Sequence, residues 1–302
     1  MSNFSVILLL TEKCNLRCGY CYERFEYKAS NSHQIDRIKN FFAVLARKYE
    51  TINVSFFGGE PMLALHRIRE VVAHNEKLNC KFAYSLTSNG TMLTLATLQE
   101  LIDGNLVQFQ ITLDGWKKSH DLSRHTKKGG GTFEVIYENL LSYRNANGNF
   151  TGIIRVNASP GNAGDIGELA ENIAADFERC PNFKTFIRPV GKWGGPNDHD
   201  LAVLDRSAYS SIEDAFYRII PQAMHYQVEA DLCYAARPNQ LLVYPDGRLG
   251  KCTVGLHDDL NKVGHIQEDG SIIIDSQKFS FWSRGLVTGD AGQQACPYWA
   301  KA

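Results

Sequence analysis

The chain has no surplus of charge. Its 302 residues hold 32 Lys and Arg against 33 Asp and Glu, a formal net charge of -1. No global field therefore advertises nucleic acid or an anionic membrane as a partner. Long apolar runs are also missing. The first run, Val6–Leu10, has five residues and no basic segment before it, against roughly 7–15 residues for a signal-peptide core. Nothing approaches the roughly 18 apolar residues of a membrane span. The expected location is the cytosol. There are no internal repeats and no low-complexity segments. With 22% charged and 44% hydrophobic residues, the composition is that of a globular chain, which excludes disorder. At roughly 150 residues per domain, the length implies two domains, or one barrel-sized domain with an extension.

Cysteine is what the chain has in quantity. Eight stand at positions 14, 18, 21, 80, 180, 233, 252 and 296. In a cytosolic chain they do not form a disulfide framework. Three crowd near the start and three spread over the C-terminal part, a placement that reads as metal chemistry at two sites. Cys80 and Cys180 read as buried thiols on core elements. In Cys14-x3-Cys18-x2-Cys21, three thiolates wrap one corner of an iron–sulfur cube, which leaves one iron without a protein ligand. A zinc site with a distant fourth ligand is the alternative.

Strand and helix patterns alternate over the first 190 residues. Strands are predicted at residues 4–11, 52–57, 82–87, 106–113, 152–158 and 183–190. Helices fall at 33–49, 61–78, 94–102, 132–145, 163–177 and 207–220, with Pro61 at a first helical position and Thr94 and Thr132 as N-caps. Six β-α units imply a parallel sheet with right-handed crossovers. They are too few for a closed eight-fold barrel. The expected fold class is α/β, a partial (β/α)6 TIM-like barrel over residues 1–227, and an open doubly wound sheet is the alternative. In either, chemistry belongs at the carboxyl ends of the strands. Cys14–Cys21, Gly58-Gly59-Glu60, Ser88-Asn89-Gly90 and Asp114-Gly115 all fall at such ends. Gly194–Asp200 reads as a linker. After residue 228 two hairpins are predicted, turning at Asp246-Gly247 and Asp269-Gly270, followed by a short helix at 278–286.

CNLRCGYC, with Tyr20 before the third cysteine, resembles the radical S-adenosylmethionine enzymes. GGEP at 58–61, TSNG at 87–90, TLDG at 112–115 and HDLSRHTKKGGGTF at 120–133 resemble the branch with extra clusters in a SPASM or Twitch domain. The match is specific over the first 160 residues and weaker over 160–230. The resemblance implies a [4Fe-4S] cluster on Cys14, Cys18 and Cys21 that binds S-adenosylmethionine and generates a 5′-deoxyadenosyl radical. It assigns Gly58, Gly59 and Glu60 to the methionine ammonium, with a plain strand-to-helix turn as the alternative. It brings Ser88, Asn89 and Thr112 to the ribose or carboxylate unless they only form turns, and Arg124 to the carboxylate. Tyr20 backs the adenine or merely packs. The resemblance also brings Arg155 and Asn157 to the cofactor, and alternation puts both on one face, either the barrel interior or the surface.

Cys233-x13-Gly247-x4-Cys252 resembles the opening of the SPASM/Twitch pattern, and Cys296 would be a third ligand. This makes 228–302 a small Twitch or half-SPASM extension holding one auxiliary [4Fe-4S] cluster. Three unrelated thiols are the alternative. The chain departs from a full SPASM domain, since Trp299 stands where a second CxxC cysteine belongs, and the fourth ligand is not apparent. The resemblance implies hydrogen abstraction from a peptide or protein side chain, as in maturation of ribosomally made peptides. The implied partners are a precursor peptide or protein and a reductase or flavodoxin-type electron donor. The chain begins directly at its first strand, so recognition would come from a separate protein. A small-metabolite dehydrogenase or isomerase is the second reading, and a non-enzymatic iron–sulfur scaffold the third. Lys192, Trp193, His257, Asp258 and Asp259 are candidates for the substrate mouth, with solvated loops as the alternative.

Overall fold

A computed structural model describes residues 2–24, 28–225 and 232–300. The chain divides into two compact units, the first built from Met1–Lys13, Phe25–Ser85 and Gln227–Ala302, the second from Cys14–Arg24 and Leu86–Tyr226.

The first unit starts with β1 (Asn3–Leu9). Its alternate residues Phe4, Val6 and Leu8 are buried, as a half-covered strand requires. α1 (Ser32–Ala46) is opened by a reciprocal capping box between Asn31 and Gln34, and it buries Ile35, Ile38, Phe41, Phe42 and Leu45. β3 (Thr51–Phe57) follows; β2 (Leu16–Cys18) belongs to the second unit. Pro61 does not open an α-helix directly. It starts a 3-10 turn, Pro61–Ala64, and α2 (Leu65–Asn75) begins after it. β4 (Lys81–Ser88) then carries the chain into the second unit.

After residue 232 the chain returns to the first unit. β9 (Gln240–Val243) and β10 (Arg248–Gly250) form one antiparallel hairpin. β11 (Gly264–Ile266) and β12 (Ile272–Ile274) form the next. Both expected hairpins are present, and they extend the sheet that β1 begins. β9 lies parallel to β1, with Ser5 opposite Gln240 and Leu8 opposite Val243. The strand order in this unit runs β12-β11-β10-β9-β1-β3-β4. α8 (Ser276–Thr288) seals it with the fully buried Trp282, whose indole N–H donates to the Leu260 carbonyl at 2.9 Å. α9 (Ala291–Ala295) is a last short turn.

The second unit holds the order β4-β5-β7-β8 through β5 (Leu106–Leu113), β7 (Thr151–Ala158) and β8 (Phe183–Pro189). β5, β7 and β8 are parallel. The crossovers are α3 (Leu95–Asp103), α5 (Phe133–Tyr143) and α6 (Ile166–Phe177), and α7 (Arg206–Ile219) follows β8. The fold is an α/β partial barrel with a C-terminal strand extension, as expected. Among the described residues, no helix is long and apolar enough to cross a membrane.

Three local expectations are corrected. A small antiparallel pair, β2 (Leu16–Cys18) with β6 (Arg124–Thr126), and the helix α4 (Lys117–Ser123) were not predicted. Cys80 and Cys180 are half-exposed thiols beside turns, not buried core residues. Thr132 stands at the N-cap of α5 without capping it, because its hydroxyl donates to the Arg124 carbonyl at 2.6 Å. Asp121 takes the capping role, its Oδ1 accepting from the amides of Thr132 and Phe133 at 2.6 and 2.8 Å. Asp121→Ala should therefore destabilise the chain by about 1–2 kcal/mol, the usual worth of a cap. Chemical denaturation measures this, and an unchanged midpoint would contradict the assignment.

Candidate functional site

In the first unit, β3 ends in the Gly58-Gly59-Glu60 turn. Gly58 and Gly59 have φ of 87° and 41°, a region that favours glycine. A Cβ on Gly59 would collide with the Lys13 carbonyl oxygen and with the Glu12 backbone. The Glu60 amide donates to that same Lys13 carbonyl at 2.8 Å. The GGEP turn thus grips the two residues that lead into Cys14. Glu60 is fully buried, and its Oε1 accepts from the Met62 amide at 3.0 Å, capping the 3-10 turn. So the carboxylate fills the turn-forming role as well as offering a buried anion.

In the second unit, β2 carries the chain from Cys14 to Cys18, and Cys18 pairs with Arg124 across the β2–β6 ladder. The Cys14 sulfur accepts from the Leu16 amide at 3.4 Å and from Asn89 Nδ2 at 3.9 Å. The Cys21 amide donates to the Cys18 carbonyl at 3.1 Å. Burial pushes the Cys18 thiol up, and the Arg124 guanidinium pulls it back. Burial pushes Cys21 up further, and the charges of Glu23, Cys18 and Cys14 add to the effect. The three sulfurs thus feel one another in a place that disfavours thiolates. A cationic iron cluster reverses that balance, because it supplies the charge that deprotonates its own ligands. Among the described residues, no three His, Cys, Asp or Glu side chains are arranged to hold a metal ion.

Ser88 and Asn89 bond within their own turn. Ser88 Oγ accepts from the Gly90 amide at 3.1 Å, and Asn89 Oδ1 accepts from the Thr91 amide and hydroxyl at 3.0 and 2.7 Å. Asn89 also donates to Asn15 Oδ1 at 2.8 Å, which ties the turn to the cysteine loop. Thr112 is buried on β5 opposite Arg155 of β7.

A polar network surrounds Tyr20. Its hydroxyl accepts from Arg124 Nη1 at 2.8 Å and from Asn157 Nδ2 at 3.0 Å. Asn157 also donates to Asp114 Oδ1 at 3.2 Å, and Ser123 Oγ donates to Asp114 Oδ2 at 2.7 Å. Arg155 Nε donates to Asn157 Oδ1 at 2.8 Å, which sets Arg155 and Asn157 on one face. The structure therefore brings Cys18, Tyr20, Arg124, Arg155 and Asn157 together. Arg124 Nε is buried and has no hydrogen-bond partner, an orphan donor suited to an incoming oxyanion.

His120 was not singled out from the sequence, yet it anchors this network. It is fully buried, its Nδ1 accepts from the Asp114 amide at 3.2 Å, and its Nε2 faces Thr132 Oγ1 at 3.2 Å. Burial pushes its pKa down to about 2, with the Arg124 charge adding. The unfolded imidazole protonates below about pH 6.5. Between those values the unfolded chain binds more protons, so stability is full above pH 6.5 and falls as pH drops. His120 alone should remove about 2 kcal/mol by pH 5. His120→Gln should flatten that dependence in denaturation between pH 7 and 5, and an equal slope in both proteins would refute the account.

The C-terminal cysteines lie in the first unit. The Cys233 amide donates to the Gln294 carbonyl at 2.8 Å, just before Cys296. The charge of Cys296 acts on Cys233, and that of Cys233 on Cys252. Burial raises both Cys233 and Cys252. The Cys252 sulfur accepts from the Gly255 amide at 3.5 Å. Asn261, another residue missed in the sequence, is fully buried and clamps the Cys252 backbone. Its Oδ1 accepts from the amides of Lys251 and Cys252 at 2.8 and 3.0 Å, and its Nδ2 donates to the Cys252 carbonyl at 2.8 Å. Lys251 is itself buried and donates to the carbonyls of Arg237 and Gln240, each at 2.6 Å. Burial lowers its pKa to about 7.

Of the remaining candidates, Trp193 packs on Gly191. Asp258 caps a 3-10 turn, and Asp259 pairs with Lys278 at 2.6 Å, so both have structural roles. Asn261→Leu leaves two buried amides unpaired and should cost about 3 kcal/mol. Thermal unfolding checks it, and a loss within 0.5 kcal/mol, roughly a surface substitution, would show that the clamp is dispensable.

Residues 8–170 match the model of the Radical SAM superfamily. The chain is 32% identical over 114 residues to a GTP 3′,8-cyclase 2 from Mycobacterium bovis, covering 37% of this chain and 31% of that protein. It is 30% identical over 152 residues to an S-adenosylmethionine-dependent nucleotide dehydratase from Psychrobacter lutiphocae, covering 46% and 50%. These matches span half or less of the relatives' lengths. The fold is similar to that of anSMEcpe solved with bound AdoMet and a Cp18Cys peptide. There the TM-score is 0.69 at 17% identity, covering 91% of this chain and 80% of that one.

Proposed function

Because the chain belongs to the radical SAM superfamily, we propose that it uses S-adenosylmethionine to abstract hydrogen from a peptide or protein side chain. Cys14, Cys18 and Cys21 would hold the [4Fe-4S] cluster. When bound, the cluster and S-adenosylmethionine together supply the 5′-deoxyadenosyl radical. Every other part is this chain's own. Gly58 and Gly59 keep the backbone open beside Glu12 and Lys13, and the buried Glu60 offers an anion to the methionine ammonium. The orphaned Nε of Arg124 suits the methionine carboxylate. Tyr20, held by Arg124 and Asn157, stiffens the chain between Cys18 and Cys21. Ser88 and Asn89 shape the turn behind Cys14, and Thr112 lines the polar face of β5.

Residues 228–302 would be a Twitch-like extension holding one auxiliary [4Fe-4S] cluster on Cys233, Cys252 and Cys296. The observation that carries this reading is that thiols dispersed in sequence act on one another, Cys296 on Cys233 and Cys233 on Cys252, beside a buried asparagine that clamps the Cys252 backbone. It favours the SPASM/Twitch branch, where peptide and protein maturases are found, as does a likeness to a peptide-bound structure over 91% of the chain. A reductase or flavodoxin-type protein would supply electrons. Chemistry on a nucleotide or another small metabolite is the second reading, favoured by the sequence similarity to a nucleotide cyclase and a nucleotide dehydratase.

Replacing Cys14, Cys18 and Cys21 with Ala should abolish 5′-deoxyadenosine formation and halve the reconstituted iron, from about eight to about four per chain by the arithmetic of two four-iron clusters. Cys180→Ala should keep about eight. Cofactor cleavage that persists in the triple variant would reject the radical site. Loss of about four irons in Cys180→Ala would place a fourth cysteine on the auxiliary cluster. Anaerobic incubation with candidate precursor peptides and with nucleotides, followed by mass analysis, separates the two substrate readings.

A further inference from the structure

The segment after β8 has the composition of a linker, yet it folds into a closed turn. The Asp198 side chain accepts from the Gly194 amide at 2.6 Å, and the Asp198 amide donates to the Gly195 carbonyl at 3.3 Å. An aspartate that bonds its own neighbouring backbone in this way staples a turn. Residues 194–198 therefore hold a shape of their own just past the carboxyl end of β8.

This turn is set against the first cysteine loop, which belongs to the same unit. At Gly195 a Cβ would stand 2.7 Å from the Cys21 carbonyl oxygen and 2.8 Å from the Tyr22 Cα. Both are backbone atoms, so no rotamer change would relieve the clash, and only glycine permits the approach. Asn197 Nδ2 donates to the Gly19 carbonyl at 3.2 Å, across 178 residues of sequence. The Gly19 amide donates to the carbonyl of Ser123, the last residue of α4, at 3.0 Å. Gly19 is thus gripped at its N–H by one element and at its C=O by another.

The place of this grip follows from where the small ladder stops. β2 ends at Cys18, so pairing with β6 fixes Cys18 and leaves the path to Cys21 to other contacts. Two residues separate these cysteines, and a shift of Gly19 moves one sulfur relative to the other. A passive linker needs neither a staple nor a glycine placed against a backbone carbonyl.

We infer that Gly195 and Asn197 are positioning residues of the radical centre, the turn bracing the chain from Gly19 to Tyr22 so that Cys18 and Cys21 meet one cluster. This rests on the reading that Cys14, Cys18 and Cys21 hold that cluster. It gives the segment after β8 a part in radical generation that the cysteine motif does not assign.

The test uses the full-length, anaerobically reconstituted protein. Gly195→Ala should slow 5′-deoxyadenosine formation about a hundredfold, as a misplacement of about 1 Å does. Asn197→Ala removes one hydrogen bond at an exposed position and should slow it about twofold to tenfold. Asn197→Asp keeps the shape but loses the donor, and should be at least as slow as Asn197→Ala. The loss should fall on kcat and leave KM for S-adenosylmethionine unchanged, because the residues assigned to the cofactor are untouched. The change that S-adenosylmethionine causes in the electron paramagnetic resonance spectrum of the reduced protein should differ from that of the wild type, while the denaturation midpoint of the Asn197 variants stays the same. Wild-type rate and spectrum in all three variants overturn the inference. So does a midpoint that falls in step with the rate in the Asn197 variants, which would make the loss one of general stability. A wild type that carries the reduced-cluster signal but forms no 5′-deoxyadenosine rejects the radical reading instead, and the spectra still test the brace.

Discussion

Gly59 lies so close to the backbone of Glu12 and Lys13 that no side chain fits between them. The arrangement of the first cysteines depends on that contact. The Lys13 carbonyl is fixed by the Glu60 amide, so the backbone is held up to the residue before Cys14. From there the loop has little freedom. Asn89 reaches both Asn15 and the Cys14 sulfur, and β2 pairs with β6 so that Cys18 sits opposite Arg124. Loops at the carboxyl ends of strands are where such folds put chemistry, and they work only when a rigid frame sets their geometry. Here the frame is backbone against backbone, the least deformable contact a protein offers.

The second unit solves a different problem, which is to keep charge inside a folded chain. Arg124 and Asp114 are both buried, and isolated they would be costly. The Tyr20 hydroxyl, Ser123, Asn157 and the neutral His120 distribute that cost over a network in which nearly every donor has an acceptor. The exception, the Nε of Arg124, is informative because the rest is satisfied. Polar networks that are complete but for one or two donors read as receptors for something that completes them.

Much of this was legible from residue order. The β-α beat, the placement of GGEP and TSNG at strand ends, and the two C-terminal hairpins follow from periodicity and turn residues, which are local properties. What escaped detection was non-local. Nothing near Arg124–Thr126 announces a strand, because its pairing partner is more than a hundred residues earlier. Asp121 caps α5 across a loop of about ten residues, so the nearer Thr132 looked like the cap. Asn261 reads as an ordinary loop asparagine until four hydrogen bonds converge on it. Cys80 and Cys180 show the converse error, since cysteine's usual burial is a poor guide beside a turn.

The parallel pairing of β1 with β9 has a consequence for how the chain is made. Ser5–Leu8 has neighbours on both sides, one from β3 and one from residues 240–243. During synthesis the second partner is absent until more than two hundred further residues have been added. Until then Val6, Ile7 and Leu8 present an unpaired apolar edge, the kind of surface on which partly made chains associate. Closure also joins residues far apart in sequence, which slows folding through the entropy of the loop it closes. β1 is thus made long before it can find all its neighbours, and yield on expression should respond more to temperature and chaperone supply than the stability of the finished fold implies.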